Sequence, residues 1–171
     1  MYRKDLKEKL IEIKNLPAVS VGAPCPVIYA TEHEFYVTYY LQSYDPAWDG
    51  TYVRIVDENS TTEPSIIVEF KMVLAHYFGM PNDEALSGHP LYTLGLKPYS
   101  YFEVLNSLWI DKHEKMNRVH PSHKKELYED YRHFIFTFHD TTLEVIAEDF
   151  SYKVTNKSLL ENIESIIRKN S

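Results

Sequence analysis

The chain has 171 residues, with 18 Lys and Arg against 25 Asp and Glu, a formal charge of −7 and a single cysteine. Its 44% apolar content, with 14 Tyr, 8 Phe and 2 Trp, excludes a disordered polymer, and one cysteine excludes a disulfide scaffold. No apolar run reaches the roughly 18 residues that a membrane span requires.

Residues 3–14 are expected to form an amphipathic helix. Leu6, Leu10 and Ile13 fall at i, i+4 and i+7, and Asp5 precedes Lys9 by four. Pro17, Gly22, Pro24 and Pro26 make residues 16–26 a connector. From Pro26 to Leu41 the run of Val, Ile, Tyr and Phe, broken at Thr31-Glu32-His33-Glu34, predicts a strand pair around a turn. Residues 43–50 read as a loop, 52–56 as a strand, 57–64 as a polar loop and 65–69 as a strand.

Phe70, Val73, Leu74, Tyr77 and Phe78 then have the spacing of a helix face, closed by Gly79 and Pro81. Residues 79–98 hold three of the five glycines and three of the nine prolines. They predict a long structured loop with one short helix at 83–86. A strand is expected at 101–105. A helix from Leu108 to about Arg118 follows, capped by Asn106 or Ser107, and a second short helix runs from Ser122 to Tyr131. Residues 133–139 alternate cleanly, with Phe134, Phe136 and Phe138 on one face. Asp140-Thr141-Thr142 turns the chain into a partner strand at 143–148, which residues 150–154 extend. Ser158 and Glu161 form a capping box for a last helix striped by Leu159, Leu160, Ile163, Ile166 and Ile167.

These elements predict an α+β fold: a mainly antiparallel, strongly curved sheet with N-terminal, central and C-terminal helices packed on it. The expected organisation is one domain, with a helical arm at 1–16, a sheet body at 26–154 and a terminal helix at 157–170. One cysteine and a charged N-terminus without an apolar leader point to the cytoplasm. The acidic balance argues against a nucleic-acid partner, and the candidate basic patch, Lys124-Lys125 with Arg118 nearby, is small. A protein or small-molecule partner is expected instead, with no membrane association. Nothing in the sequence implies a cofactor.

Seven of the eight histidines lie between positions 76 and 139. Imidazole titrates nearest neutrality and is the commonest metal ligand, so three readings follow. His120, His123 and His139, with Asp83, Glu84 and His89, supply a weak metal-ligand set without any diagnostic zinc spacing. Asp83, Glu84, His89, His120, His139 and Asp140 supply groups for acid–base or hydrolytic work, with Ser87 or Thr137 as nucleophile. No nucleophile elbow, Walker loop or dinucleotide fingerprint accompanies them. Tyr and Trp at 36, 39, 40, 44 and 48, and at 92, 99, 101 and 109, suggest a recognition surface or simply a packed core. Asn82, Tyr92, Trp109 and Asn117 are the binding candidates. His113, Asn117 and His120 fall on one helical stripe expected to face the Gly/Pro loop.

Residues 70–147 resemble a family of small bacterial proteins usually described as conserved hypothetical. The strings that carry the resemblance are Leu74-Ala75-His76, Pro81-Asn82-Asp83-Glu84-Ala85-Leu86, Gly88-His89-Pro90-Leu91-Tyr92, Trp109-Ile110, Asn117-Arg118-Val119-His120-Pro121 and His133-Phe134-Ile135-Phe136-Thr137-Phe138-His139-Asp140. The family pattern places a Phe and a Cys where Leu143 and Val145 stand here, which disfavours cysteine chemistry. The resemblance implies no activity. The leading expectation is a cytosolic, non-catalytic binding protein of an immunity-like or accessory kind. The alternative is a small hydrolase or transferase, metal-dependent or not, with a His/carboxylate site around residues 82–92, 120 and 139.

Overall fold

A computed structural model describes residues 7–44, 49–51 and 55–170. The fold is α+β, with two antiparallel sheets and two helices. The predicted strand at 52–56 lies mostly outside the described residues, and Ile55 and Val56 are not in a strand. The chain divides into two compact units. Residues 1–16 and 71–149 form the first, and residues 17–70 and 150–171 the second. The strands therefore make two sheets, where the sequence suggests one.

The first unit is built on strands β1 (Lys9–Glu12), β5 (Ala75–Gly79), β6 (Tyr101–Leu105), β7 (Arg132–Thr137) and β8 (Thr142–Ala147), in the order β1-β6-β7-β8-β5. Two of these strands correct helical expectations. Residues 9–12 pair with β6, Leu10 opposite Val104. A helix this short is marginal alone, and the ladder with β6 gives Leu10 a place against the core beneath the loop. Residues 70–78 are two strand ends joined at Met72, whose φ is 51°. The apparent helical spacing spans a bend at a residue type that carries no signal for a positive φ.

The registers put Leu10, Phe102, Val104, His133, Ile135, Thr137, Glu144 and Ile146 on one face. Helix α1 (Leu108–Asn117) and loop 80–98 cover that face. Leu86, Leu91 and Leu96 reach down from the loop to pack with Phe102, Val104 and Ile135. The loop holds 3₁₀ turns at Leu86–Gly88 and Tyr92–Leu94, just beyond the predicted helix at 83–86. The helix expected over residues 122–131 is one 3₁₀ turn, Lys125–Tyr128. The opposite face carries Phe134, Phe136, Leu143 and Val145, all buried.

The second unit contains β2 (Val27–Ala30), β3 (Phe35–Tyr40), β4 (Ser65–Lys71) and β9 (Asp149–Thr155), in that order, with α2 (Leu159–Asn170). The hairpin at residues 31–34 is as predicted. Ser158 Oγ accepts from Glu161 N–H while Glu161 accepts from Ser158 N–H, so the capping box forms. Fully buried Asn162 ties α2 to three strands. Its amide donates to Thr38 Oγ1 and Ser65 Oγ, and its carbonyl oxygen accepts from Thr155.

Candidate functional site

Four histidines of the first unit, His89, His123, His133 and His139, fall into separate hydrogen-bonded groups. The deepest is centred on Glu144 of β8. His89 Nε2 lies 3.2 Å from Glu144 Oε1, and His133 Nε2 lies 2.8 Å from Oε2. The Leu91 amide donates to His89 Nδ1 at 3.2 Å, so the His89 proton sits on Nε2 and points at the carboxylate. On the other side, Ser107 Oγ lies 2.9 Å from His133 Nδ1. Ser107 Oγ already accepts from the amides of Trp109 and Ile110, capping α1, so its own proton goes to His133. His133 then donates through Nε2 to Glu144.

One carboxylate thus accepts from two imidazoles, and every donor in this hydrogen-bonded group has an acceptor. Burial pushes the Glu144 carboxyl up, but the hydrogen bonds from His133 and His89, together with their charge attraction, outweigh it and bring it down to about 2. Ser107, His133 and Glu144 share the hydrogen-bond order of a hydrolytic triad. Ser107 is nevertheless only 4% exposed, and its oxygen is occupied in capping. The chain is a structural tie between the sheet, α1 and loop 80–98.

The second group lies at the roots of that loop. Tyr99 Oη donates to Asp83 Oδ2 at 2.6 Å and lies 2.7 Å from His139 Nδ1. His139 Nδ1 lies 3.0 Å from the same Asp83 oxygen. The two rings stack at 6.3 Å with 16° between their planes. The backbone holds the pieces in place, since Asp83 N–H donates to His139 C=O at 2.9 Å. Asp83 Oδ1 accepts from Glu84 N–H. Hydrogen bonding from Tyr99, and secondarily from His139, keeps the Asp83 carboxyl below its ordinary value. Burial and the Asp83 charge push the Tyr99 phenol up to about 12. Two protons therefore sit among three atoms, on Tyr99 Oη and His139 Nδ1, with the charge on Asp83. The outer nitrogen of His139, Nε2, retains its lone pair on a half-exposed ring.

The sequence candidates divide accordingly. Asp83 and His139 come together, and Tyr99 joins them unexpectedly as a hydrogen-bonding partner. Asp140 and Glu84 are exposed beside them in the chain. His89 belongs to the buried Glu144 group instead. His120 is exposed, its Nδ1 accepting from the Ser122 amide, and Asn117 is exposed at the end of α1. His113 packs on Trp109. His123 is tied to buried Glu114, which also takes a two-pronged contact from Arg118. Among the described residues no three His, Cys, Asp or Glu side chains are grouped to hold a metal ion.

Thr137 is buried and bonded to the carbonyls of Lys97 and Ser100, while Ser87 is exposed. Of the binding candidates, Asn82 Oδ1 accepts from Ala85 N–H, and Trp109 stands edge-on to His133. Tyr92 points outward at 42% exposure. Tyr36, Tyr39, Tyr40 and Tyr101 are buried and Tyr44 is exposed, whereas Trp48 lies outside the described residues. Glu144 was the functional-looking group that motif reading missed. The alternation of residues 142–147 places it on the His133 face once the hairpin at 140–142 is accepted.

No family model matches the chain, and no curated protein or solved structure is significantly similar to it.

Proposed function

We propose that this chain is a cytosolic binding protein of an immunity-like or accessory kind, related to the bacterial family it resembles, and that it engages a basic protein partner through loop 80–98. One observation supports this reading above the others. The loop is fixed from beneath by Leu86, Leu91, Leu96 and the His89–Glu144 contact, yet it turns Met80, Tyr92 and Leu94 outward at 60%, 42% and 43% exposure. Exposed apolar anchors on a backbone already held in place bind with little ordering cost. The net charge of −7 suits a basic partner through complementary steering. Titration of a captured partner with wild-type protein and with a Tyr92→Lys/Leu94→Lys variant tests it, and equal affinity for both would refute the assigned surface.

A second reading, a small hydrolase or transferase, has one specific observation in its favour. Asp83 and His139 are in direct contact through Nδ1, on a half-exposed imidazole ring. Turnover of a simple substrate that depends on His139 distinguishes it from the first.

A further inference from the structure

The Asp83–Tyr99–His139 group has two properties that a structural tie does not require. The first is its proton arrangement. A carboxylate that receives Nδ1–H leaves Nε2 as the acceptor of a half-exposed ring, and stabilises the imidazolium formed when Nε2 takes a proton. The Glu144 group shows the opposite arrangement, with both imidazoles turned inward and all ring nitrogens occupied. The second is Tyr99 itself. Its φ is 52°, a left-handed conformation that is costly for a bulky side chain and that Gly or Asn would adopt more readily. The strained backbone sets the phenol against both Asp83 and His139.

The charge around the group limits what it would accept. Glu84 and Asp140 flank Asp83 and His139 in the chain. Lys97, the nearest lysine in sequence to Tyr99, is paired with Glu12 at 2.8 Å. No Lys or Arg is hydrogen-bonded to the three side chains among the described residues. A phosphoryl or carboxylate group would meet negative charge without a counter-ion.

We propose that Asp83, Tyr99 and His139 form an acid–base site for uncharged or cationic esters, in which His139 Nε2 is the base. This rests on the second reading above and names its substrate class. His139 Nε2 takes a proton from water as the water oxygen bonds to the ester carbonyl carbon. The tetrahedral species then breaks its bond to the alcohol oxygen, and the imidazolium returns that proton to the departing oxygen. Ester and water become acid and alcohol, with no other reactant. Asp83 and Tyr99 are positioning residues: Asp83 holds Nδ1–H, and Tyr99 holds Asp83 and stacks on the ring.

The test uses the full chain and three p-nitrophenyl esters: the acetate, a trimethylammonio-butyrate and the hemisuccinate. The expected result is hydrolysis of the first two at least about tenfold faster than by an equal concentration of N-acetylhistidine, and slower hydrolysis of the anionic third. His139→Asn keeps a donor near the Nδ1 position and removes Nε2, so it should lose about nine-tenths of the rate without loss of folding. His33→Gln, at an exposed histidine of the other unit, should change nothing. Asp83→Asn should lower kcat by about tenfold with KM little changed, because the imidazole loses the carboxylate that orients it, whereas a merely structural loss would lower the amount of folded protein instead. His139-dependent turnover that favours the anionic ester would overturn the substrate class and leave the second reading standing. A wild-type rate no better than N-acetylhistidine, or one unaffected by His139→Asn, would overturn both.

Discussion

His89 Nε2 lies 3.2 Å from Oε1 of Glu144, and this contact fastens loop 80–98 to strand β8. The carboxylate is shared with His133 at 2.8 Å, so one side chain holds both the loop and, through Ser107, the start of α1. Replacing it should therefore cost more than an ordinary polar substitution. Glu144→Gln keeps the shape but offers one acceptor to two N–H donors, leaving one imidazole facing an amide NH₂. Unfolding in urea should show a loss of about 2–3 kcal/mol. A loss below about 0.5 kcal/mol would mean that the shared carboxylate does not hold the unit together.

The same group sets an acid limit. The Glu144 carboxyl is brought from 4.5 to about 2 in the folded protein, so the unfolded chain binds this proton more readily. The stabilisation is complete above about 4.5 and is lost as pH falls from there toward about 2. It amounts to at most about 3 kcal/mol. Urea midpoints of wild type and Glu144→Gln should converge as pH is lowered through that window. Parallel midpoints would contradict the assignment.

Ser107 is predicted to be a cap and not a nucleophile. Ser107→Ala should destabilise the protein by about 1–2 kcal/mol, from the lost cap and the orphaned His133 nitrogen. A fluorophosphonate should leave Ser107 unlabelled in the folded protein, as mass spectrometry would report. Labelling there would revive the triad reading.

In the second unit, Asn162 makes three side-chain hydrogen bonds at full burial. Asn162→Ala leaves Thr38, Ser65 and Thr155 short of a partner and should cost about 2–3 kcal/mol. Ser158→Ala, at the capping box, should cost about 1 kcal/mol. Chemical unfolding of both variants gives the comparison.

Local signals were legible in the sequence wherever they acted alone. The strand expected at 133–139 stands as Arg132–Thr137, Ser107 is the one of two cap candidates that caps α1, and the Ser158–Glu161 box and the hairpin at 31–34 stand where short-range chemistry puts them. Long-range pairing overrode the pattern at residues 9–12, where a partner 90 or more positions away decides for a strand. Met72 hid a turn because methionine carries no preference for a positive φ. For the candidate site, residue type pointed to Asp83 and His139, which are 56 positions apart and in contact. Tyr99 was read only as an aromatic, because its role depends on a backbone conformation that tyrosine seldom takes. Four of the seven clustered histidines divide among the Glu144 tie, the Asp83 group and the Glu114 group, while His113 packs on Trp109 and His120 is exposed.

Loop 80–98 is proposed as a fixed recognition surface for a basic protein. The most direct measurement is the affinity of the protein captured by this chain at equal stoichiometry from the cells that make it, read by titration against wild type and Tyr92→Lys/Leu94→Lys. Both positions are exposed, so the variant should unfold at the wild-type temperature. The variant should bind at least about tenfold more weakly, and association with the wild-type chain should slow as salt is raised. A variant that binds as tightly as wild type, or a wild-type chain that captures no protein at stoichiometric amount, would contradict it.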